Sequence, residues 1–247
     1  MINAHQWKYF LESRANPFDV EEISHSFDST EIRIWHEYEN DSHPVGFFAS
    51  RHLDVLTDPV LVDFRARQLV NVLNGAALLL DYPATLFLNG LYKIKGGATE
   101  GPIYIEKTLS AKPGSRDSLS DFERTLHTSF NTEVNSMKLS KLILLAKSNP
   151  DVSTVFRQLS EYPLEWVTMY RIFEKVQLNL GKGRVNEIVD NKELSRFKRT
   201  AQDPVLLGDL ARHGAYNNDT EPKPMGENEG RVFVMNLCKK WIEGIVP

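Results

Sequence analysis

Two hydrophobic periodicities divide this chain, and the place where one gives way to the other restricts the folds open to it. Up to about residue 109, short alternating runs surround one long helical stripe; beyond it, every apolar run has helical spacing. Residues 31–38 alternate, with Ile32, Ile34 and Tyr38 on one face and Arg33 and Glu37 on the other, although Trp35 interrupts the polar side. The turn at residues 40–44 (NDSHP) leads into residues 45–53, which predicts a β-hairpin. Asp58 followed by Pro59 marks a helix start. The acid caps free N–H groups, and proline in the first turn has no N–H to leave unsatisfied. Val62, Ala66, Leu69, Val70, Leu73, Ala76, Ala77 and Leu80 then recur at three and four, so one amphipathic helix runs to the stop at Asp81-Tyr82-Pro83. Two further strands are expected over residues 85–94 and 102–109, joined through Gly96-Gly97.

Residues 110–120 (SAKPGSRDSLS) are polar and contain Pro113-Gly114, which makes residues 111–118 the expected linker. Helices are predicted after it at 119–131, 133–147, 151–162, from Pro163 to the glycines at 181 and 183, at 193–201, 204–213 and 227–245. The expected fold class is therefore α+β. A small antiparallel sheet crossed by one long helix occupies residues 1–110, and an all-helical bundle occupies 119–247.

Composition removes several classes of function. The chain has 247 residues, a net charge of −4 and a pI near 6.0, so no whole-protein field draws it to nucleic acid or acidic membranes. Residues 1–112 carry 10 basic and 15 acidic side chains and residues 113–247 carry 19 and 18, which makes the second half the better host for an anion. Cys238 is the single cysteine, so there is no internal disulfide and no multi-cysteine zinc site. The longest apolar runs fall far short of the roughly 20 residues of a membrane span. The first ten residues lack the layout of a secretion signal, so a cytoplasmic protein is expected.

The chemistry-bearing residues concentrate late. In LLGDLARHGAY (206–216), Arg212 and His213 stand side by side before a loop of polar and proline residues, and Gly214 can end the helix between them. The bland reading has both capping helix carbonyls and pairing with Asp209 or Glu174; a cationic histidine at a helix C-terminus is favoured by the dipole alone. Tyr170 and Glu174 share one helix face, where they wall a pocket or serve as core and surface partner. Lys198 and Arg199 are either a solvated face or part of an anion site. His36, His43 and His52 fall on or beside one hairpin without the i, i+4 spacing of a zinc motif, and no metal is expected. No phosphate-binding glycine loop is present, and no cofactor is expected. Cys238 lies on the apolar stripe of the last helix.

WVTMYRIFEKV (166–176), FKRTAQ (197–202), GDLARHGAY (208–216) and PKPM (222–225) ahead of a Trp-containing helix resemble a group of uncharacterised bacterial proteins. Those have a C-terminal bundle similar in layout to HEPN domains, the helical RNase and nucleotide-binding modules of bacterial defence and toxin systems. Catalytic HEPN RNases carry an arginine, four to six intervening residues and a histidine; here Arg212 and His213 are adjacent instead. The resemblance therefore implies a non-catalytic RNA/nucleotide- or protein-binding module of a bacterial defence or stress system. Its bundle would pair with RNA, a nucleotide, a second copy or another subunit. The alternative is a metal-independent HEPN-like endoribonuclease. There His213 would move the proton, Arg212 would hold the phosphate, Lys198 and Arg199 would assist, and Asn217 would orient the scissile group.

Overall fold

The long helix forms where its start signal lies. Asp58 accepts from the Val60 N–H at 2.9 Å, and the helix runs Pro59–Leu79, burying Val62, Ala66, Leu69, Val70, Leu73, Ala76 and Ala77 as the spacing requires. In the computed structural model the described residues are 7–13, 17–26, 31–38, 44–82, 86–96, 98–103, 138–160, 164–181, 183–207, 211 and 223–245. Their order is β1 (Tyr9–Ser13), α1 (Pro17–Ser26), β2 (Ile32–Tyr38), β3 (Pro44–Ser50), α2 (Arg51–Asp54), α3 (Pro59–Leu79), β4 (Leu88–Lys95) and β5 (Ala98–Ile103). There follow α4 (Lys138–Ser148), α5 (Pro150–Leu159), α6 (Trp166–Leu180), α7 (Val185–Ile188), α8 (Asn191–Gln202), α9 (Pro204–Leu207) and α10 (Glu227–Glu243). The expected linker 111–118 and the helix expected at 119–131 lie outside the described residues.

The strands form one five-stranded antiparallel sheet in the order β2-β3-β1-β4-β5. The fold is α+β, with a small antiparallel sheet followed mostly by helices. Four elements differ from the expectation. β1, the central strand, and α1 carry no clean periodicity and were not anticipated. The strand expected over residues 45–53 stops at Ser50, whose hydroxyl accepts the His52 N–H at 3.2 Å and starts α2. The second strand of the last hairpin begins at Ala98 rather than at residue 102, because Gly96 at φ +60° turns the chain at once.

By contacts the chain divides into two units, Met1–Arg157 and Gln158–Pro247, and the division falls within α5. α4 packs on α3 and α1, so a helix that the composition groups with the bundle belongs with the sheet. In the N-terminal unit α1 lies on one sheet face, with Val20 against Gly46. Asn74 of α3 fastens the chain returning to β4: its amide accepts the Leu86 N–H at 2.9 Å and donates to the Leu86 carbonyl at 3.0 Å. α4 is held by a buried ion pair, Lys147 Nζ to Glu31 Oε1 at 2.5 Å, with His52 Nε2 3.5 Å from the other carboxylate oxygen.

Asp54 closes α2 and receives the backbone N–H groups of Lys8 (2.8 Å) and Tyr9 (3.3 Å), which anchors β1. Burial pushes its carboxyl above the usual aspartate value, against the lowering by those two N–H bonds and by Lys8. A raised value in the folded state means that the stabilising protonation is fully present below the unfolded value and is lost as pH rises through the folded one. Asp54→Asn keeps an acceptor for both N–H groups. It should therefore flatten that part of the acid-side stability profile, measured as Tm against pH beside the wild type.

The described residues of the C-terminal unit include α6 to α10. α6 ends at Gly181 (φ +89°), as its glycines predict, and α10 buries Phe233, Val234, Leu237, Cys238, Trp241 and Ile242 along one stripe. Gly230 of α10 is required by close approach, since a Cβ there would lie 2.8 Å from the Trp166 ring. Among the described residues, no helix is long and apolar enough to cross a membrane.

Candidate functional site

Two of the motifs that carry the resemblance, WVTMYRIFEKV and FKRTAQ, meet in the C-terminal unit around Phe197, while GDLARHGAY lies outside the described residues except for Ala211. The buried Phe197 ring of α8 stacks on Phe233 of α10 at 4.7 Å and 27°. It packs against Trp166 and Phe173 of α6, each at 5.7 Å, and lies nearly parallel to Tyr170 at 6.2 Å and 13°. FKRTAQ and WVTMYRIFEKV thus supply one aromatic core. Its polar edge is ordered too, because Gln202 Nε2 donates to the Tyr170 hydroxyl oxygen at 2.6 Å.

Lys223, Pro224 and Met225 of PKPM are held to α8 by side chains that carry no obvious chemistry in the sequence. Thr200 Oγ1 accepts the Met225 N–H at 2.8 Å and donates to the Arg196 carbonyl at 2.9 Å. Arg196 donates to the carbonyls of Lys223 (3.0 Å) and Pro224 (3.3 Å) and meets both carboxylate oxygens of Glu229. Glu229 in turn accepts the Gly226 N–H at 2.7 Å. That N–H bond first, and Arg196 second, hold the Glu229 carboxyl below its usual range. Met225 is buried by this arrangement. Residues 223–225 are therefore a docking segment that sets where the last helix begins.

The residues expected to form a site are placed as follows. Arg212, His213 and Asn217, with the suggested partner Asp209, lie outside the described residues. Tyr170 is buried in the aromatic core and offers its hydroxyl edge to α8. Glu174, one turn beyond it on α6, is half-buried, as are Lys198 and Arg199 on α8. The Lys198 ammonium stands 5.1 Å from the centre of the Phe173 ring, in cation–π range of the residue beside Glu174. The structure thus brings Lys198 to α6, and it brings Tyr170 to α8 through Gln202. Arg196, Thr200 and Gln202 are the residues that sequence reasoning missed. Their one legible signal was the i, i+4 spacing of Arg196 and Thr200 on a polar helix.

Three further nucleophilic or metal-ligating groups among the described residues have structural surroundings. Cys238 is fully enclosed, and burial pushes its thiol well above the ordinary range, so the reactive thiolate is suppressed. His52 is buried beside Glu31, and His36 of β2 meets His25 of α1 edge to face at 6.3 Å. His43 lies outside the described residues. Among the described residues, no group of three or more His, Cys, Asp or Glu side chains is placed to hold a metal ion. Compared with known proteins, the chain matches no family model, no curated protein and no solved structure.

Proposed function

We propose that the C-terminal helical unit is a binding module for an anionic partner, RNA or a nucleotide, which it holds without cleaving. The observation that carries this reading is a cation set against an aromatic ring where α6 and α8 pack: the Lys198 ammonium of α8 stands 5.1 Å from the centre of the Phe173 ring of α6, with Arg199 next to Lys198 on α8. Cations beside aromatic rings suit phosphates and bases together. The HEPN-like character of the bundle and a bacterial defence or stress role belong to the same proposal and rest on the motif resemblance. A protein partner or a second copy is the other reading, favoured by exposed Leu178, Val205, Leu206 and Val232.

Fluorescence anisotropy with a labelled single-stranded RNA and with a labelled adenine nucleotide tests the proposal. Lys198→Ala/Arg199→Ala should weaken binding by about tenfold or more and lower the salt slope for single-stranded RNA by about 1.4, as expected for two lost phosphate contacts. Equal affinity of the double variant and the wild type would remove the α6–α8 pair as the site. Cleavage of the RNA by the wild type but not by Arg212→Ala/His213→Ala would replace this reading with the endoribonuclease.

A further inference from the structure

The sheet has a second face, and its chemistry differs from that of the face under α1. Register puts Phe10, Ala49, Arg33 and Tyr92 in one row on that side and Glu12, Phe47 and Trp35 in the next. The rings order one another: Phe10 stacks on Tyr92 at 5.0 Å and 5°, and Trp35 on Phe47 at 5.4 Å and 24°. Phe10 meets Phe47 edge-on at 5.8 Å. Trp7, Phe10 and Trp35 form a buried floor, while Phe47, Tyr92 and Ile94 remain partly accessible around it.

Two carboxylates border these rings. Glu12 Oε2 accepts from the Tyr92 hydroxyl at 3.1 Å, and Glu37 Oε1 accepts from the Trp35 indole N–H at 3.3 Å. Both donors are neutral, so these bonds fix the position of each carboxylate without pairing it with a cation. Among the described residues neither Glu12 nor Glu37 is paired with a cation, and Arg33 is exposed on the same side. A third group also awaits a partner. The Trp7 indole N–H is buried, with the residue only 5% exposed, and has no acceptor among the described residues. Residues 1–112 as a whole carry 10 basic and 15 acidic side chains, so the field around this sheet has the same sign as the two carboxylates.

We infer that this aromatic, acid-bordered sheet face binds a basic peptide segment, with arginine or lysine side chains lying on the rings and ending at Glu12 and Glu37. Guanidinium and ammonium groups are attracted to ring faces and to carboxylates together, and a peptide carbonyl is the acceptor that the Trp7 N–H lacks. Glu12 and Glu37 lie two strands apart and two residues along, which is roughly 12 Å from strand spacing and rise. An extended peptide covers that span in about four residues, so one segment reaches both acids. The surface belongs to the N-terminal unit and is independent of the anion-binding reading of the helices.

The test is titration of the full chain with a fluorescein-labelled oligo-arginine peptide, followed by anisotropy and by Trp fluorescence. Oligo-lysine and oligo-glutamate peptides of the same length are the comparisons. Oligo-arginine should bind, oligo-lysine should bind more weakly, and oligo-glutamate should not bind. Glu12→Gln/Glu37→Gln keeps both hydrogen-bond acceptors and should weaken oligo-arginine binding by at least tenfold, with its melting temperature and RNA affinity unchanged. Arg33→Ala should strengthen it. Glu22→Gln on exposed α1 should leave it unaltered. Equal binding by the Glu12/Glu37 variant and the wild type, an equal loss in Glu22→Gln, or weaker binding by Arg33→Ala would each overturn the inference and leave only attraction to an acidic surface.

Discussion

Gly75→Ala is expected to destabilise the N-terminal unit by about 3–5 kcal/mol, in the range reserved for severe single substitutions. Gly75 sits in the buried middle of α3, where the backbone of α5 comes against it. An added Cβ would fall onto the Phe156 carbonyl oxygen, with the carbonyl carbon and Cα of Phe156 also inside contact distance. A clashing side chain can choose another rotamer, but a helix backbone has no such escape. Relief requires α3 and α5 to separate, which opens gaps along Val72, Ala76, Val152 and Val155, all buried. Urea unfolding followed by circular dichroism measures the effect. Gly183→Ala is the control: a Cβ there meets nothing within 4 Å, and the change should be near neutral. A loss below about 1 kcal/mol for Gly75→Ala would show that the helices yield freely at that crossing.

Lys147→Met should destabilise by a similar amount, about 3–5 kcal/mol, for an electrostatic reason. Glu31 is 4% exposed, and its carboxylate is compensated by the Lys147 ammonium at 2.5 Å, with His52 on the far side. Removing the ammonium leaves a charge that water cannot reach. Removing both charges in Glu31→Gln/Lys147→Met should recover most of the loss, because a neutral amide in a buried site needs only hydrogen bonds. The double-mutant cycle therefore carries a large coupling energy. Additive single and double effects would mean that Glu31 is solvated in the folded state and that α4 is held by its apolar face alone.

These two sites show what a sequence discloses and what it withholds. α3 was legible because its start and its stripe are local: Asp58 and Pro59 set the first turn, and residues three and four apart share a face. The Gly181 stop of α6 and the stripe of α10 were legible for the same reason. β1 was not. A strand with neighbours on both sides need not alternate cleanly, and Tyr9, Phe10 and Leu11 are all buried. The end of β3 was hidden by Ser50, whose role as a cap depends on a turn that the apolar run 45–53 does not announce. Of the candidate site, Lys198 and Tyr170 were picked out by residue type. Their neighbours Gln202 and Phe173 come from the facing helices, a pairing that only packing reveals. PKPM was noticed as a motif, but its meaning lies in Thr200 and Arg196, more than twenty residues upstream.

The placement of β1 also sets a timetable for synthesis. This strand joins β3 on one side and β4 on the other, with Phe10 opposite both Ala49 and Tyr92. On a ribosome this strand must wait for partners made some forty and eighty residues later, so the two halves of the sheet cannot be zipped together until β4 has left the exit tunnel. Until then β3 and the nascent helix α3 carry apolar surface without its central seam. Nascent-chain holdases and slow codons before β4 would act on that interval.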